Sequence, residues 1–259
     1  MLLRLEPYLR TTCTTTACIL AVLLSSGCAL IRDYRSQPRA EDKISLALTI
    51  EDNQLVLSSA TLGGQKGKFV LATAAQVSAV DSAFAERHFG NGNVELVIGE
   101  RFTATINPVE TDLGIAADAL LASDLWSDST ISIDYISGLL TLSRDRVRRP
   151  VDMAVFPFQG PPSVSLTIDG KTVRAIVDTS LPDTLVLPRG SRSESRTTAR
   201  VTLGGRTFEG IDVAWSDTST PRIGNRILSR FLVIINYGEQ WVGLWPDPRI
   251  GSPGPQPAD

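Results

Sequence analysis

Histidine and cysteine are scarce in this sequence of 259 residues, and basic residues do not outnumber acidic ones. The single histidine is His88, and the three cysteines all lie within the first 28 residues. A Ser-His-Asp hydrolase would therefore have to use His88, and a zinc site built from histidine and cysteine is excluded from the rest of the chain. The formal net charge of −3 gives no basic face of the kind that nucleic-acid binding needs. If the protein is an enzyme, we expect its chemistry to use carboxylates or hydroxyls.

Glycine-rich phosphate-binding loops are lacking as well. Gly63-Gly64 and Gly204-Gly205 are not followed by the lysine and the helix that such a loop requires. We therefore expect no nucleotide, and we expect no other cofactor and no metal ion either. His88 closes a short helical pattern, where we expect a surface position rather than a catalytic one.

The first 28 residues have the pattern of a secretory signal peptide. Arg4 and Arg10 precede an apolar run over 18–24, and small residues then lead to Gly27-Cys28. The apolar run is too short to span a bilayer as a permanent helix. The Gly-Cys ending resembles a bacterial lipobox, which implies that Cys28 is acylated and becomes the first residue of the mature protein. The alternative is an ordinary signal peptide with an incidental cysteine.

The resemblance to a lipobox implies a location in the bacterial cell envelope. Acyl chains on Cys28 would hold the protein on a membrane, and Ala29 after the cysteine favours the outer membrane over the inner one. Cys13 and Cys18 would leave with the signal peptide. No disulfide is therefore expected within the mature chain, even in an oxidising compartment.

Composition divides the remainder of the chain. Residues 29–43 are polar and aperiodic, which predicts a tether. Residues 247–259 are rich in proline, which predicts a tail without a packed element. Between these ends we expect two β-rich lobes, over 44–143 and 163–246, joined by an arginine- and proline-rich linker over 144–162.

Most of the chain between the tether and the tail shows strand patterns. Short alternating or apolar runs are separated by turn signals such as Asp169-Gly170, and many short strands favour an all-β sandwich or barrel. Helical patterns are confined to 82–88 and to brief turns near 116–121 and 225–229. The predicted strands lie at 44–50, 54–58, 68–71, 94–98, 102–106, 130–135, 139–142, 163–168, 173–177, 199–203, 211–215, 232–237 and 241–245.

The strand pattern occurs twice. Residues 69–80 align without a gap on 175–186, at an offset of 106, and residues 121–142 align on 223–244, at an offset of 102. The two blocks keep nearly the same spacing in both copies, which indicates an internal duplication. Identical pairs are few, and they include Thr73/Thr179, Val80/Val186, Ile133/Ile235, Tyr135/Tyr237 and Leu142/Leu244.

The second copy contains the motif that carries chemistry. An apolar strand leads into Asp178-Thr179-Ser180, and the Gly204-Gly205 hairpin, Ile223-Gly224 and a closing strand over 232–236 follow. This order resembles the retropepsin-like and pepsin-like aspartic proteases, whose lobes carry an apolar strand, Asp-Thr/Ser-Gly, a flap-like hairpin, an apolar-apolar-Gly segment and a closing strand. The resemblance implies an all-β, acid-protease-like fold of two homologous β-barrel lobes with a cleft between them.

The resemblance also implies roles for the motif residues. The family places one aspartate from each lobe about 3 Å apart, and the pair shares one proton because two like charges so close cannot both ionise. The ionised carboxylate activates a water, and the protonated one polarises the scissile carbonyl. Asp178 would be one of these aspartates, and the Thr179 hydroxyl would hold the two loops together. Ser180, where the family commonly has glycine, would let the backbone turn tightly.

The first copy departs from the motif. Ala72-Thr73-Ala74 stands at the matching place, so the loop keeps a threonine and small residues but has lost its carboxylate. Leu121-Ala122 likewise stands where the apolar-Gly pair is expected. The sequence therefore predicts a degenerate member of the family: a membrane-anchored lipoprotein that keeps a cleft for a peptide or protein and has lost turnover.

An active aspartic endopeptidase stays open as the alternative. It would need a substitute acid, for which Asp81, Asp124 and Asp183 are the candidates, or it would pair Asp178 with the same residue of a second chain. Asp81 stands at the start of the predicted helix, where a role as N-cap competes with catalysis. Pairing with a second chain is awkward, because the first lobe already occupies the place of a partner.

Overall fold

The computed structural model describes residues 43–89, 92–99, 102–144, 147, 149–190, 193–246 and 249. The strands of the first half are β1 (Lys43–Glu51), β2 (Gln54–Leu57), β3 (Ala60–Leu62), β4 (Gln65–Lys66), β5 (Phe69–Leu71), β6 (Ala79–Asp81), β7 (Val94–Ile98), β8 (Phe102–Ile106), β9 (Val109–Thr111), β10 (Ala119–Leu121), β11 (Thr130–Asp134) and β12 (Leu139–Ser143). The later strands are β13 (Ala154–Pro157), β14 (Ser163–Ile168), β15 (Lys171–Val177), β16 (Leu185–Pro188), β17 (Arg196–Leu203), β18 (Arg206–Ser216), β19 (Arg222–Ile223), β20 (Phe231–Asn236) and β21 (Trp241–Pro246). Helix α1 is Ser82–His88, a 3-10 turn covers Ser123–Leu125, and α2 is Asn225–Leu228.

Both ends of the chain fall outside these residues. The predicted signal peptide with Cys28, the tether before Lys43, and the proline-rich tail apart from Arg249 all lie outside the described residues. Lys43, predicted as the last residue of the tether, already begins β1. Within the described ranges, no helix is long and apolar enough to cross a membrane.

The strands form two lobes. In lobe 2, β14, β15, β19, β16, β18 and β17 follow one another around a closed barrel. Alternation along β14 buries Val164, Leu166 and Ile168, because successive side chains of a strand point to opposite faces. In lobe 1, β3, β4, β7 and β8 form a four-stranded sheet, and the other strands belong to a long sheet that continues into lobe 2. Lobe 1 is therefore a more open version of the barrel.

The strand registers reproduce the internal repeat. In lobe 1, β10 lies parallel to β5 and antiparallel to β6, and in lobe 2, β19 lies parallel to β15 and antiparallel to β16. Leu121 faces Leu71, and Ile223 faces Val177, which is the same pair moved by the sequence offsets of 102 and 106. The all-β fold of two homologous lobes is thus confirmed.

The two lobes share one sheet. Strands β11 and β20, which close the two copies, pair with each other in antiparallel fashion, with Ile131 opposite Ile235 and Ile133 opposite Val233. All four side chains are buried, and a single apolar core extends through both lobes. This shared sheet fixes the lobes relative to each other and so positions the loops between them.

Two local predictions differ from the structure. Residues 144–162 were predicted as a linker, but they include β13, which adds to the free edge of β21. The brief helical turn predicted near 116–121 is wrong, because Ala119 and Leu121 are buried in β10 between β5 and β6. The turn forms later, at Ser123–Leu125.

The Gly204-Gly205 hairpin forms part of the barrel wall and is not a flap over a cleft, contrary to the family pattern. Strands β17 and β18 meet at these glycines, whose φ values of 55° and 77° suit a tight turn. Strand β17 also pairs with β14, and β18 pairs with β16. A Cβ at Gly204 would lie 3.0 Å from the ring of Phe231. The hairpin tip therefore packs on the core of its own lobe.

Candidate functional site

Thr73 and Thr179 lie where the lobes meet, and both are fully buried. The backbone N–H of Thr73 donates to Oγ1 of Thr179 (3.3 Å), and the N–H of Thr179 donates to Oγ1 of Thr73 (3.2 Å). Each hydroxyl then donates across to the other lobe, Thr73 to the carbonyl of Val177 (2.7 Å) and Thr179 to that of Leu71 (2.5 Å). These four reciprocal bonds satisfy both buried hydroxyls and hold the two loops together.

Ala72 and Asp178 occupy equivalent positions next to these threonines. The N–H of Ala72 donates to the carbonyl of Leu121 (2.9 Å), and the N–H of Asp178 donates to that of Ile223 (3.0 Å). Each residue is 1% exposed. Ala72 therefore stands in lobe 1 at the position that corresponds to the carboxylate of lobe 2, as the alignment of the repeats predicts.

The negative charge of the Asp178 carboxylate is balanced by a cation from its own lobe. Its Oδ1 accepts hydrogen bonds from the Ser180 backbone N–H (3.1 Å) and from Oγ of Ser180 (2.6 Å). Its Oδ2 forms an ion pair with Nη1 of Arg222 at 3.0 Å. The aspartate side chain is 2% exposed and the arginine side chain 44% exposed, so the guanidinium covers the carboxylate from the solvent side. A buried carboxylate requires such a partner, because an unpaired charge in the interior is strongly destabilising.

Arg222 is one of two site residues that sequence reasoning missed. It opens β19 directly before Ile223-Gly224, opposite Ile176 on the strand that leads to Asp178. Its counterpart in lobe 1 is Leu120, which faces Val70 in the same register. The difference between arginine at 222 and leucine at the equivalent position 120 was visible in the sequence. Whether the arginine contacts Asp178 depends on the direction of its side chain, which the sequence does not report.

The candidate substitute acids have other partners. The Asp81 carboxylate caps α1 and accepts hydrogen bonds from the N–H groups of Ala83 (3.0 Å) and Phe84 (3.3 Å). Asp81 therefore has the N-cap role that its place before the predicted helix offers as the alternative to catalysis. Asp183 forms an ion pair with Arg196 at 2.8 Å.

Asp124 is held by Ser78. Its two oxygens accept hydrogen bonds from the backbone N–H (3.0 Å) and the hydroxyl (2.7 Å) of that serine. His88 is exposed at the end of α1, where its ring lies 4.6 Å from that of Phe84. None of these contacts involves Asp178, and the described residues contain no group of three or more His, Cys, Asp or Glu side chains that could hold a metal ion.

Asn225 supports the Thr179 loop from within lobe 2. It is the first residue of α2 and is 1% exposed. Its Nδ2 donates to the carbonyls of Asn53 (2.5 Å) and Thr179 (2.8 Å), and its Oδ1 accepts from the Tyr135 hydroxyl (2.8 Å). Sequence reasoning did not single out Asn225, because its counterpart in the other copy is Ser123 and the repeat offered no shared residue.

The fold and the loop geometry define a class: a two-lobed, acid-protease-like fold in which one of the two carboxylate positions is alanine and the other is an aspartate paired with arginine. Among solved structures, the chain is similar to the crystal structure of an aspartic proteinase from Irpex lacteus, with a TM-score of 0.53 and 12% sequence identity. The match covers 79% of this chain and 97% of the proteinase chain, and at this identity it shows the fold alone. Comparison with protein-family models gives no match, and neither does comparison with curated proteins.

Proposed function

We propose that this protein is a non-hydrolytic member of the aspartic protease family that binds an extended peptide or protein segment between its lobes. The observation that carries the proposal is the Asp178–Arg222 ion pair opposite Ala72. Acid–base catalysis by this fold needs two carboxylates that exchange one proton. Here one carboxylate is missing and the other is bound to a permanent cation, so neither role of the pair is filled.

The framework around the missing chemistry supports retained binding. The four bonds between Thr73 and Thr179 keep both loops in place, and Asn225 supports the loop of lobe 2. The loop of lobe 1 continues through Ala74 and Ala75, whose small side chains leave the backbone open to a ligand.

Incubation of the purified full chain with a degenerate peptide library tests the proposal. We expect no pepstatin-sensitive cleavage by mass spectrometry between about pH 3 and pH 7, the range in which family dyads work. We also expect the immobilised protein to retain and enrich a subset of the library. The Asp178→Ala variant is the matched control, and its cleavage background should equal that of the wild type.

Two outcomes would count against the proposal in different ways. Wild-type cleavage that Asp178→Ala abolishes would restore the active endopeptidase and send the search for the second acid back to Asp81 and Asp124. A library that emerges without enrichment would remove the peptide-binding function while leaving the loss of catalysis intact.

We also propose that the protein is an envelope lipoprotein held on the outer membrane through Cys28. The support is the Gly27-Cys28 ending of the signal-like segment and the polar stretch up to Lys43. Cys28→Ser should move the protein from the membrane fraction to the soluble fraction or block removal of the signal peptide. Fractionation and immunoblotting measure this, with Cys18→Ser as the control that should behave like the wild type. Unchanged membrane association of Cys28→Ser would show that this cysteine is not the anchor.

A further inference from the structure

A cavity of about 320 Å³ opens where the loop that follows Ala72 meets the segment that precedes β14. The volume is at the lower end of the range for small-ligand pockets, which suits a single long side chain. Residues 74–76, Ser123, Asp124 and Ser127 line it from lobe 1, and residues 160–162, Tyr237 and Gln240 line it from the later part of the chain.

Gly160 in the cavity wall is the counterpart of Asn53. Strand β2 pairs with β5 at Val56, and β14 pairs with β15 at Ser163 in the equivalent register. Asn53 and Gly160 precede these two paired residues by the same number of positions. Both also have a positive φ, 62° at Asn53 and 78° at Gly160. The repeat therefore relates the two positions by sequence, by strand register and by backbone conformation.

The side chain of Asn53 fills the place in lobe 2 that corresponds to the cavity. Its Nδ2 donates to the carbonyls of Leu181 (3.3 Å), Pro182 (2.8 Å) and Asp183 (3.3 Å). Gly160 has no side chain to do the same in lobe 1, and a Cβ built on it would meet open space. The cavity is therefore the room that a side chain occupies in the other lobe.

Asp124 is the one charged residue among the described residues that line the cavity. Its Oδ2 accepts a hydrogen bond from the Ser78 N–H (3.0 Å), and its Oδ1 accepts one from the Ser78 hydroxyl (2.7 Å). Ser78 is fully buried, and its Oγ accepts from the N–H of Ala122 (3.0 Å). Asp124 itself is exposed, and each carboxylate oxygen can accept a further donor. Burial raises the pKa of Tyr237, so the hydroxyl of this lining residue stays uncharged.

Lobe 2 has no carboxylate at the equivalent position. The offset of 102 places Arg226 where lobe 1 has Asp124, and the Arg226 guanidinium pairs with Asp212 at 3.5 Å. The turn before Arg226 closes through the Gly224 N–H, which donates to the carbonyl of Thr184 (2.9 Å). This turn therefore forms without an acid in lobe 2, so closing it is not a sufficient reason for the carboxylate in lobe 1.

We propose that the cavity binds a positively charged side chain, that of an arginine or lysine in the bound peptide, with its cation on the Asp124 carboxylate. The N–H groups of the guanidinium or ammonium donate to the two oxygens that Ser78 holds in place. An acidic side chain is repelled by Asp124, and an alkyl side chain gains no ion pair. That the cation belongs to a peptide rests on the proposed function.

Small blocked amino acids test the cavity without the rest of the cleft. The N-acetyl N-methylamides of arginine and lysine are titrated into the full chain beside those of citrulline and norleucine, which have similar shapes and no charge. Binding is followed by NMR at low ionic strength. We expect each cationic probe to bind about fivefold more tightly than its neutral counterpart, the scale of one exposed ion pair. The difference should shrink in about 0.5 M salt, which screens exposed charges. Equal affinities within both pairs would overturn the proposal.

Two variants test the site by different means. Asp124→Asn removes the charge and should lower the affinity for the arginine probe to that for the citrulline probe. Gly160→Asn keeps the charge, fills the cavity as Asn53 fills its counterpart, and should abolish binding of all four probes. Both variants are checked for folding by circular dichroism.

Matched controls lie outside the cavity lining. Glu95→Gln removes a carboxylate from an exposed position on β7, and Gly64→Asn makes the same change as at 160 in another turn with positive φ and open space. Both should bind the probes as the wild type does. If Asp124→Asn or Gly160→Asn is folded and binds the arginine probe like the wild type, the cavity is not the site. Because the two variants act independently, either one that folds is decisive.

The library experiment separates the failure of this inference from that of the proposed function. If enriched peptides bind equally well after replacement of every arginine by citrulline and every lysine by norleucine, the preference for a cation is wrong and peptide binding stands. If no peptide is enriched but the blocked arginine still binds in a way that depends on Asp124 and on the open space at Gly160, the cavity is a cation site and the peptide context is wrong.

Discussion

Ala72→Asp combined with Arg222→Leu is expected to give a protein that cleaves peptides at acid pH, whereas Ala72→Asp alone is expected to stay inactive. An aspartate at 72 would stand at the position equivalent to Asp178, next to the bonded pair of threonines. In the single variant, Arg222 still binds Oδ2 of Asp178, so the two carboxylates cannot share a proton. Leucine is the residue that lobe 1 carries at the equivalent position, Leu120.

The expected gain is at least about 10²-fold in cleavage rate over the single variant, the lower end of the usual contribution from general acid–base catalysis. Mass spectrometry of a peptide library measures the rate, and pepstatin should suppress it. A triple variant that also carries Asp178→Asn is the control and should return to background. If Ala72→Asp alone cleaves as fast as the double variant, the ion pair with Arg222 does not prevent Asp178 from taking part in catalysis.

Thr179→Val is expected to lower the free energy of unfolding by about 2–4 kcal/mol, because valine keeps the shape of threonine and removes its hydroxyl. The buried hydroxyl donates to the Leu71 carbonyl and accepts from the Thr73 N–H, and both partners would lose a hydrogen bond without access to water. Urea unfolding followed by circular dichroism measures the change.

Thr198→Val is the matched control for this experiment. Thr198 is exposed on β17, so the same chemical change should shift stability by less than about 0.5 kcal/mol. Thr73→Val should resemble Thr179→Val, and the double variant should lose less than the sum of the two, because the two side chains share their bonds. Equal effects at 179 and 198 would mean that the reciprocal bonds contribute little to stability.

The fold could be predicted from the sequence because the two copies keep nearly the same spacing between equivalent strands. The offsets of 106 and 102 that align Leu71 with Val177 and Leu121 with Ile223 are the offsets of the strand registers. The spacing of the paired strands is nearly the same in both copies although few residues are identical. The loops around Thr73 and Thr179 were predictable for the same reason.

The electrostatics of the site could not be predicted in this way. Whether Arg222 reaches Asp178 depends on the direction of one long side chain at the start of a two-residue strand, and strand periodicity does not report it. The role of Asn225 was hidden similarly, because its three partners come from residues distant in the chain. The Gly204-Gly205 hairpin was misassigned because the same turn signal fits a flap and a barrel strand pair, and they are distinguished by the pairing of β17 and β18 with other barrel strands and by the contact with Phe231.

The pairing of β11 with β20 has a consequence for how the chain folds. Each of these strands covers the edge of the other lobe's part of the sheet, so lobe 1 without lobe 2 would expose an apolar strand with unpaired N–H and C=O groups. Such an edge is a template for pairing with other chains. Because β20 begins only at Phe231, lobe 1 is synthesised long before its edge can be covered. We therefore expect the two lobes to complete their folding together, and we expect the uncovered edge of lobe 1 to favour aggregation until they do.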